Sequence, residues 1–104
     1  MGEHESGIAA VSIAIDGDLD LETFDRWVES LLDSRHEDLY RLKGIIALAG
    51  SPRRYIIQAV HALSTWQYGA EWDDAPRRSR LVLIGRGLDR STIESQLEAC
   101  RTRR

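Results

Sequence analysis

The sequence predicts an α+β fold: a two-layer βαβββα sandwich in which a four-stranded, mostly antiparallel sheet has two helices on one face. Two observations lead to this fold class. Four segments are rich in apolar and β-branched residues, and two others carry apolar residues at helical spacing after a Leu-Asp pair. At 104 residues the chain has room for one domain. We assign residues 7–101 to that domain, residues 1–6 to a disordered tail left from a linker, and residues 102–104 to a second tail.

The first strand and the first helix are predicted at the start of this domain. Residues 7–15 have either small or β-branched side chains, and this composition predicts a largely buried strand. Apolar residues then recur at helical spacing, which predicts a helix over about 21–34. Asp20 is a suitable N-cap because its carboxylate can accept hydrogen bonds from free amides of the first turn. Leu19 is expected to pack against Phe24 and so fix the entry of the chain into the helix.

Three further strands are expected at about 40–49, 54–64 and 79–85. They are joined first by Gly50-Ser51-Pro52 and then by a longer loop that bears tryptophan and tyrosine, and this order suggests an antiparallel meander.

The last helix is predicted over about 90–101 by the same entry chemistry as the first. Asp89 takes the N-cap position, Leu88 precedes it, and Ile93 follows four residues later. Two such helices suffice to cover one face of a four-stranded sheet.

Strand alternation divides the sheet residues between a covered face and an uncovered face, which we call the open face. We expect the covered face to contribute core residues, namely Val11, Ile13, Ile15, Ile46, Leu48, Leu81 and Leu83. The open face is expected to carry Lys43, Ile45, Arg80, Val82 and Ile84. This mixture of aliphatic and cationic groups is apolar enough to indicate a surface for a partner.

Composition excludes several classes of protein. No apolar run is long enough to span a membrane, no signal peptide is visible, and the single Cys100 has no partner for an internal disulfide, so we expect a cytoplasmic protein.

The net charge is −3, but residues 1–40 hold eleven acids and two bases whereas residues 41–104 hold six acids and twelve bases. The second part of the chain is therefore expected to carry a basic patch that can attract an acidic partner.

No catalytic, cofactor or metal site is predicted. The sequence has no GxxxxGK[ST] phosphate loop and no recognisable nucleophile and base, so we expect no enzymatic activity. His4, His36, His61 and Cys100 are not spaced to share a metal ion, and His61 is expected at an ordinary strand position. A small metal-binding domain that uses His4, His61 and Cys100 is kept as one alternative.

A nucleic-acid-binding module is a second alternative. Arginines could contact phosphates while aromatic side chains stack on bases, the candidates being Arg53, Arg54, Arg77, Arg78, Arg80 and Arg86 with Trp66, Tyr68 and Trp72. The net acidic charge opposes this interpretation. The competing expectation is that several of these arginines pair with Asp73, Asp74 and acids of the first helix.

Three segments together carry a resemblance to a known family: Arg41-Leu42-Lys43-Gly44-Ile45, residues 55–60 and residues 76–89. They resemble the carboxy-terminal domain of the CobW family of GTP-dependent metallochaperones, over about the whole chain. The matching positions are Arg41, Lys43, Gly44, Gln58, Arg77, Arg78, Arg80, Gly85, Leu88 and Asp89. Glycine within a strand usually marks a bulge or a close approach, and we expect Gly44 to mark a bulge.

The resemblance implies a non-catalytic accessory domain for protein interaction, in a family that delivers zinc or cobalt and is linked to cobalamin synthesis. The family's P-loop GTPase half is absent from this sequence, and GTP, zinc and cobalt would belong to that half. The implied partners are the GTPase domain, in cis or in trans, a metalloprotein client, and a second copy bound through the open face. Membrane and nucleic-acid partners are not expected. We expect docking through Lys43, Arg80, Val82 and Ile84, together with Trp66 and Trp72 of the aromatic loop.

Overall fold

The computed structural model describes residues 7–35 and 37–102, and it has one antiparallel sheet and two helices. The elements are β1 (Ile8–Asp16), α1 (Leu21–Arg35), β2 (Leu39–Ile46), β3 (Arg53–Val60), β4 (Leu63–Glu71), β5 (Arg78–Arg86) and α2 (Arg90–Glu98). The α+β class is confirmed, but the sheet has five strands where four were predicted. The predicted tail at residues 1–6 lies outside the described residues, as do the last two residues of the tail at 102–104. Neither helix has the length and apolar character needed to cross a bilayer.

The additional strand is β4, which begins within the predicted strand over 54–64 and occupies the first half of the predicted aromatic loop. The predicted strand over 54–64 ends at Val60, and the chain then turns at His61, whose φ is 56°. His61 is therefore a turn residue and not a strand residue, in contrast to the prediction. The side chains of β4 are exposed along most of the strand, so no alternation of buried and polar residues marked it in the sequence.

The strand order in the sheet is β1-β5-β2-β3-β4. The predicted meander of the three later strands is wrong. It would have placed β5 next to β3 in the sheet, but β5 pairs with β1 and β2. Only β2, β3 and β4 form a meander. Because β5 lies between β1 and β2, its side chains stand beside those of two other strands, and this decides what surrounds Arg80 and Val82.

The core lies where one face of the sheet meets the buried residues of both helices, and Phe24, Val28, Ile93 and Leu97 supply much of the helical part. All seven residues predicted for the core are buried. The first strand is not largely buried as predicted. Its side chains alternate between buried and exposed, as those of β2 and β5 do, because only one face of the sheet is toward the core.

The two helix starts use different hydrogen bonds. At α1 the backbone N–H of Thr23 donates to a carboxylate oxygen of Asp20 at 2.9 Å, which confirms the predicted cap. At α2 Asp89 is the N-cap residue, but its carboxylate accepts from the Thr92 hydroxyl at 2.6 Å and from no backbone amide. The helix ends at Glu98, three residues before the predicted end.

Gly44 marks a close approach and not the predicted bulge. Its pairing with β3 and β5 is regular, and the irregularity in β2 lies between Leu39 and Arg41. A Cβ at Gly44 would overlap a δ-methyl group of Leu81, which fills the space beside it in the core. Gly85 serves a similar purpose, because a Cβ there would overlap the Asp38 carbonyl oxygen.

Candidate docking surface on the open face

The candidate site lies at the centre of the open face, where β2 is flanked by β3 and β5. Lys43 stands between Gln58 on β3 and Val82 on β5. Ile45, two residues along, stands between Ile56 and Arg80. Directly opposed residues in an antiparallel pair project to the same side of the sheet, so these six side chains form one continuous patch. We call it the open-face patch.

The open-face patch has an apolar floor and a cationic rim. Ile45 is 40% exposed and Val82 is 38% exposed, which is unusual for aliphatic side chains at the middle of a sheet. With Ile56, they line a shallow depression flanked by Lys43 and Arg80. In the described part of the chain neither cation takes part in an ion pair, so both charges are available to a partner. Ile56 was missed in the sequence, although alternation through β3 places it on the same side as Gln58.

Part of the family motif converges on this patch. Arg41, Lys43, Gln58 and Arg80 come from three strands, all four are exposed, and the register directs them to the open face. Ile84 lies opposite Arg41 on the same face and is half-buried. The motif glycines Gly44 and Gly85 instead face close neighbours. The motif therefore combines residues that shape the sheet with residues that are presented to solvent.

Arg77 and Arg78 are paired within the chain, although alternation along β5 places Arg78 on the open face with Arg80. The Arg77 Nε–H donates to Asp18 at 2.7 Å, and the Arg78 Nε–H donates to Asp16 at 2.6 Å. The Arg78 guanidinium lowers the pKa of the Asp16 carboxyl. Intramolecular pairing was expected, but with Asp73, Asp74 and the first helix; the partners are instead acids at the end of β1 and in the turn after it.

Trp66 and Trp72 do not join the open-face patch. Trp66 lies opposite the buried Ile57 and so projects from the other side of the sheet. Trp72 follows β4 and is only 7% exposed, with the guanidinium carbon of Arg54 4.5 Å from its ring centroid. Trp72 is thus buried and covered by Arg54, and Trp66 faces away from the open-face patch, so the two indoles do not present a common surface on which bases could stack.

Two of the four metal candidates, His61 and Cys100, lie within the described residues. Within residues 7–35 and 37–102, no three His, Cys, Asp or Glu side chains are grouped so that they could hold a metal ion. Cys100 is buried and its thiol donates to the Gln96 carbonyl at 3.5 Å. Burial is the main cause that raises the pKa of this thiol, and Asp20 adds to it. His4 and His36 lie outside the described residues.

Residues 8–101 match the family described as the cobalamin synthesis protein CobW C-terminal domain. The zinc chaperone YjiA of Escherichia coli (strain K12) is 26% identical over 101 residues, which are 97% of this chain and 32% of that protein. The zinc chaperone CobW of Pseudomonas aeruginosa is 39% identical over 67 residues, 64% of this chain and 18% of that protein.

Solved structures agree with the family match. The crystal structure of Zn(II)-bound YjiA GTPase from E. coli aligns with a TM-score of 0.89 at 25% identity, over 98% of this chain and 32% of that one. A Zn(II)-bound triple mutant of YjiA GTPase aligns with a TM-score of 0.88 at 27% identity, over 92% of this chain and 30% of that one. The chain thus spans about a third or less of the length of these relatives.

Proposed function

This chain belongs to the family of the cobalamin synthesis protein CobW C-terminal domain, and we propose that it is a non-catalytic accessory domain of a cytoplasmic, GTP-dependent zinc or cobalt metallochaperone. Two relatives that support this proposal are named as zinc chaperones, and the solved relatives are named as GTPases. The sequence itself contains no phosphate loop that could hold GTP. In this proposal the domain contributes to the metallochaperone by binding another protein domain.

The partner is a P-loop GTPase domain, joined to this domain in cis or bound in trans, and the contact is made through the open-face patch. The observation that carries this assignment is the convergence of Arg41, Lys43, Gln58 and Arg80 around exposed aliphatic side chains. In this arrangement both helices pack on the covered face as the second layer of a two-layer sandwich, which leaves the open face available.

The composition of the patch determines the surface that fits it. Burial of Ile45, Ile56 and Val82 against an apolar partner surface supplies the favourable free energy, because it removes hydrocarbon from water. The rim cations favour a partner with carboxylates at matching positions, which orients the encounter and rejects basic surfaces. In this proposal a metalloprotein client would reach the GTPase domain through its contact with this domain. A second copy suits the open-face patch less well, because the cationic rims of the two copies would repel each other.

The test is isothermal titration calorimetry of this chain with its cognate GTPase domain, using Lys43→Glu and Arg80→Glu. Each charge reversal places an anion opposite the partner's carboxylates and is expected to weaken binding about tenfold. Arg26→Glu is the matched control, because Arg26 is exposed on α1 and pairs only locally with Glu22. Equal affinities for all three variants and the parent chain would show that the open-face patch is not the contact.

A further inference from the structure

The second edge of the sheet, β4, is left open to strand pairing. Among the described residues β4 pairs only with β3, and residues 63–70 include neither a charged residue nor proline. Proteins usually protect an edge strand with such residues because its free amides and carbonyls can bind another chain. The other edge strand, β1, has α2 beside it.

An aromatic ridge runs along β4 on the side opposite the open face. The ring of Trp66 stacks on that of Tyr55 with centroids 5.4 Å apart, and Tyr68 lies 5.6 Å from Trp66. Tyr55 is 2% exposed, whereas Trp66 is 59% and Tyr68 45% exposed. The buried tyrosine therefore supports two exposed rings, so the ridge is already formed without a partner.

A cleft separates this ridge from α1, and its walls carry two acids, Asp25 and Glu29. The Tyr55 hydroxyl donates to Asp25 at 3.1 Å. Burial and the Asp25 charge both raise the pKa of Tyr55, so the phenol stays protonated and keeps donating. No lysine or arginine pairs with either acid in the part of the chain that the structure describes. The cleft thus offers an indole face and two carboxylates that pair with no cation among residues 7–35 and 37–102.

We propose that β4 binds an extended segment of a partner protein by strand addition, and that an arginine side chain of this segment enters the cleft. The backbone of the segment would pair with the free edge of β4. The guanidinium would stack on Trp66 and pair with Glu29 and the unshared oxygen of Asp25, which a planar, bidentate cation suits better than an ammonium does. This surface faces away from the open-face patch, so the proposal does not depend on the proposed GTPase contact.

The probe is a fluorescein-labelled nonapeptide of alternating threonine and valine with a central arginine, titrated with the full chain and followed by fluorescence anisotropy. Two matched peptides carry norleucine or glutamate at the centre. We expect the arginine peptide to bind about tenfold more tightly than the norleucine peptide, and the glutamate peptide to bind least. Amide hydrogen exchange should slow in β4 when the arginine peptide is bound.

Variants distinguish recognition of arginine in the cleft from non-specific binding of peptides to the edge of β4. Glu29→Lys, on the exposed surface of α1, and Trp66→Leu should each weaken the arginine peptide about tenfold. Glu98→Lys makes the same charge change on the exposed surface of α2 and should leave the affinity unchanged. Equal binding of the three peptides overturns the proposal, as does no binding up to about 1 mM or an unchanged affinity for Glu29→Lys. A dimer in light scattering that Trp66→Leu dissociates would assign the edge to a second copy and also overturn it.

Discussion

The guanidinium of Arg77 holds the carboxylate of Asp18 at 2.7 Å, and this contact joins distant parts of the chain. A second N–H of Arg77 donates to the Leu48 carbonyl at 2.7 Å, and the group lies 5.7 Å from the Trp72 ring centroid. The backbone N–H of Thr102 donates to the Asp18 carbonyl at 3.0 Å. One arginine therefore ties together the turn after β1, the segment after β2 and the loop after β4.

Replacing Arg77 with alanine should destabilise the fold. The change removes one of the two donors to the Leu48 carbonyl, which keeps the bond from the Ser51 N–H, and it removes the ion pair of the half-buried Asp18 carboxylate. The expected cost is about 2 kcal/mol in the free energy of unfolding. Urea denaturation followed by circular dichroism measures this quantity. Arg26→Ala on the exposed face of α1 serves as the control and should change it by less than about 0.5 kcal/mol. An equal effect of the two substitutions would contradict the role given to Arg77.

Gly44→Ala should destabilise the core through Leu81. The added methyl group overlaps a Leu81 δ-methyl and lies close to the Arg80 carbonyl oxygen, 3.1 Å from the new Cβ. The expected loss is about 1 to 3 kcal/mol in the free energy of unfolding. Leu81→Val should recover part of this loss when combined with Gly44→Ala, because the two sites are in contact. Strictly additive effects in the double-mutant cycle would mean that Leu81 is not the obstacle.

The cap at Asp20 should make the stability of the fold depend on pH in the acid range. Hydrogen bonds from the hydroxyl and backbone N–H of Thr23 lower the pKa of Asp20 below its ordinary value of 3.8. Its contribution is complete above that value and is lost as the pH falls through the lower, folded-state pKa. Asp20→Asn keeps a cap without a titrating carboxyl. The variant's melting temperature should therefore fall less between pH 4 and about pH 2 than that of the parent chain.

Asp20→Ala supplies the control for this measurement, because it removes the cap at every pH and should be less stable than the parent at neutral pH. If the melting temperatures of the parent and of Asp20→Asn fall by the same amount as the pH is lowered, the cap does not titrate.

Cys100 should react slowly with a thiol reagent in the folded protein. The side chain is 2% exposed, and burial raises the pKa of its thiol, so little of the nucleophilic thiolate is available at neutral pH. Release of the chromophore from Ellman's reagent should be much slower in buffer than in about 8 M urea, where the chain unfolds. Equal rates in the two solutions would place Cys100 at the surface.

The sequence predicted those elements whose signals are local. Asp20 and Asp89 mark the helix starts, and residue alternation identified the core face of β1, β2 and β5. It did not identify β4, because an edge strand with both faces exposed lacks the apolar alternation that reveals a half-buried strand. The available signal was β propensity: Thr65, Trp66 and Tyr68 all favour strands.

The candidate site was predicted in part for the same reason. Alternation within single strands placed Lys43, Arg80 and Val82 on one face, which requires no knowledge of strand order. The positions of Trp66 and Trp72 depended on the missing strand, and the acids that pair with Arg77 and Arg78 depended on β5 lying beside β1. Such long-range pairing is set by the topology of the sheet.

The most direct test of the open-face contact is an NMR titration of the isotope-labelled chain with its cognate GTPase domain. The methyl signals of Ile45, Ile56 and Val82 should shift or broaden together with the amide of Lys43, because these groups would be buried in the complex. Signals of α1 and of Trp66 should change little. Changes confined to the helices or to β4, with the three methyl groups unaffected, would contradict docking through the open face.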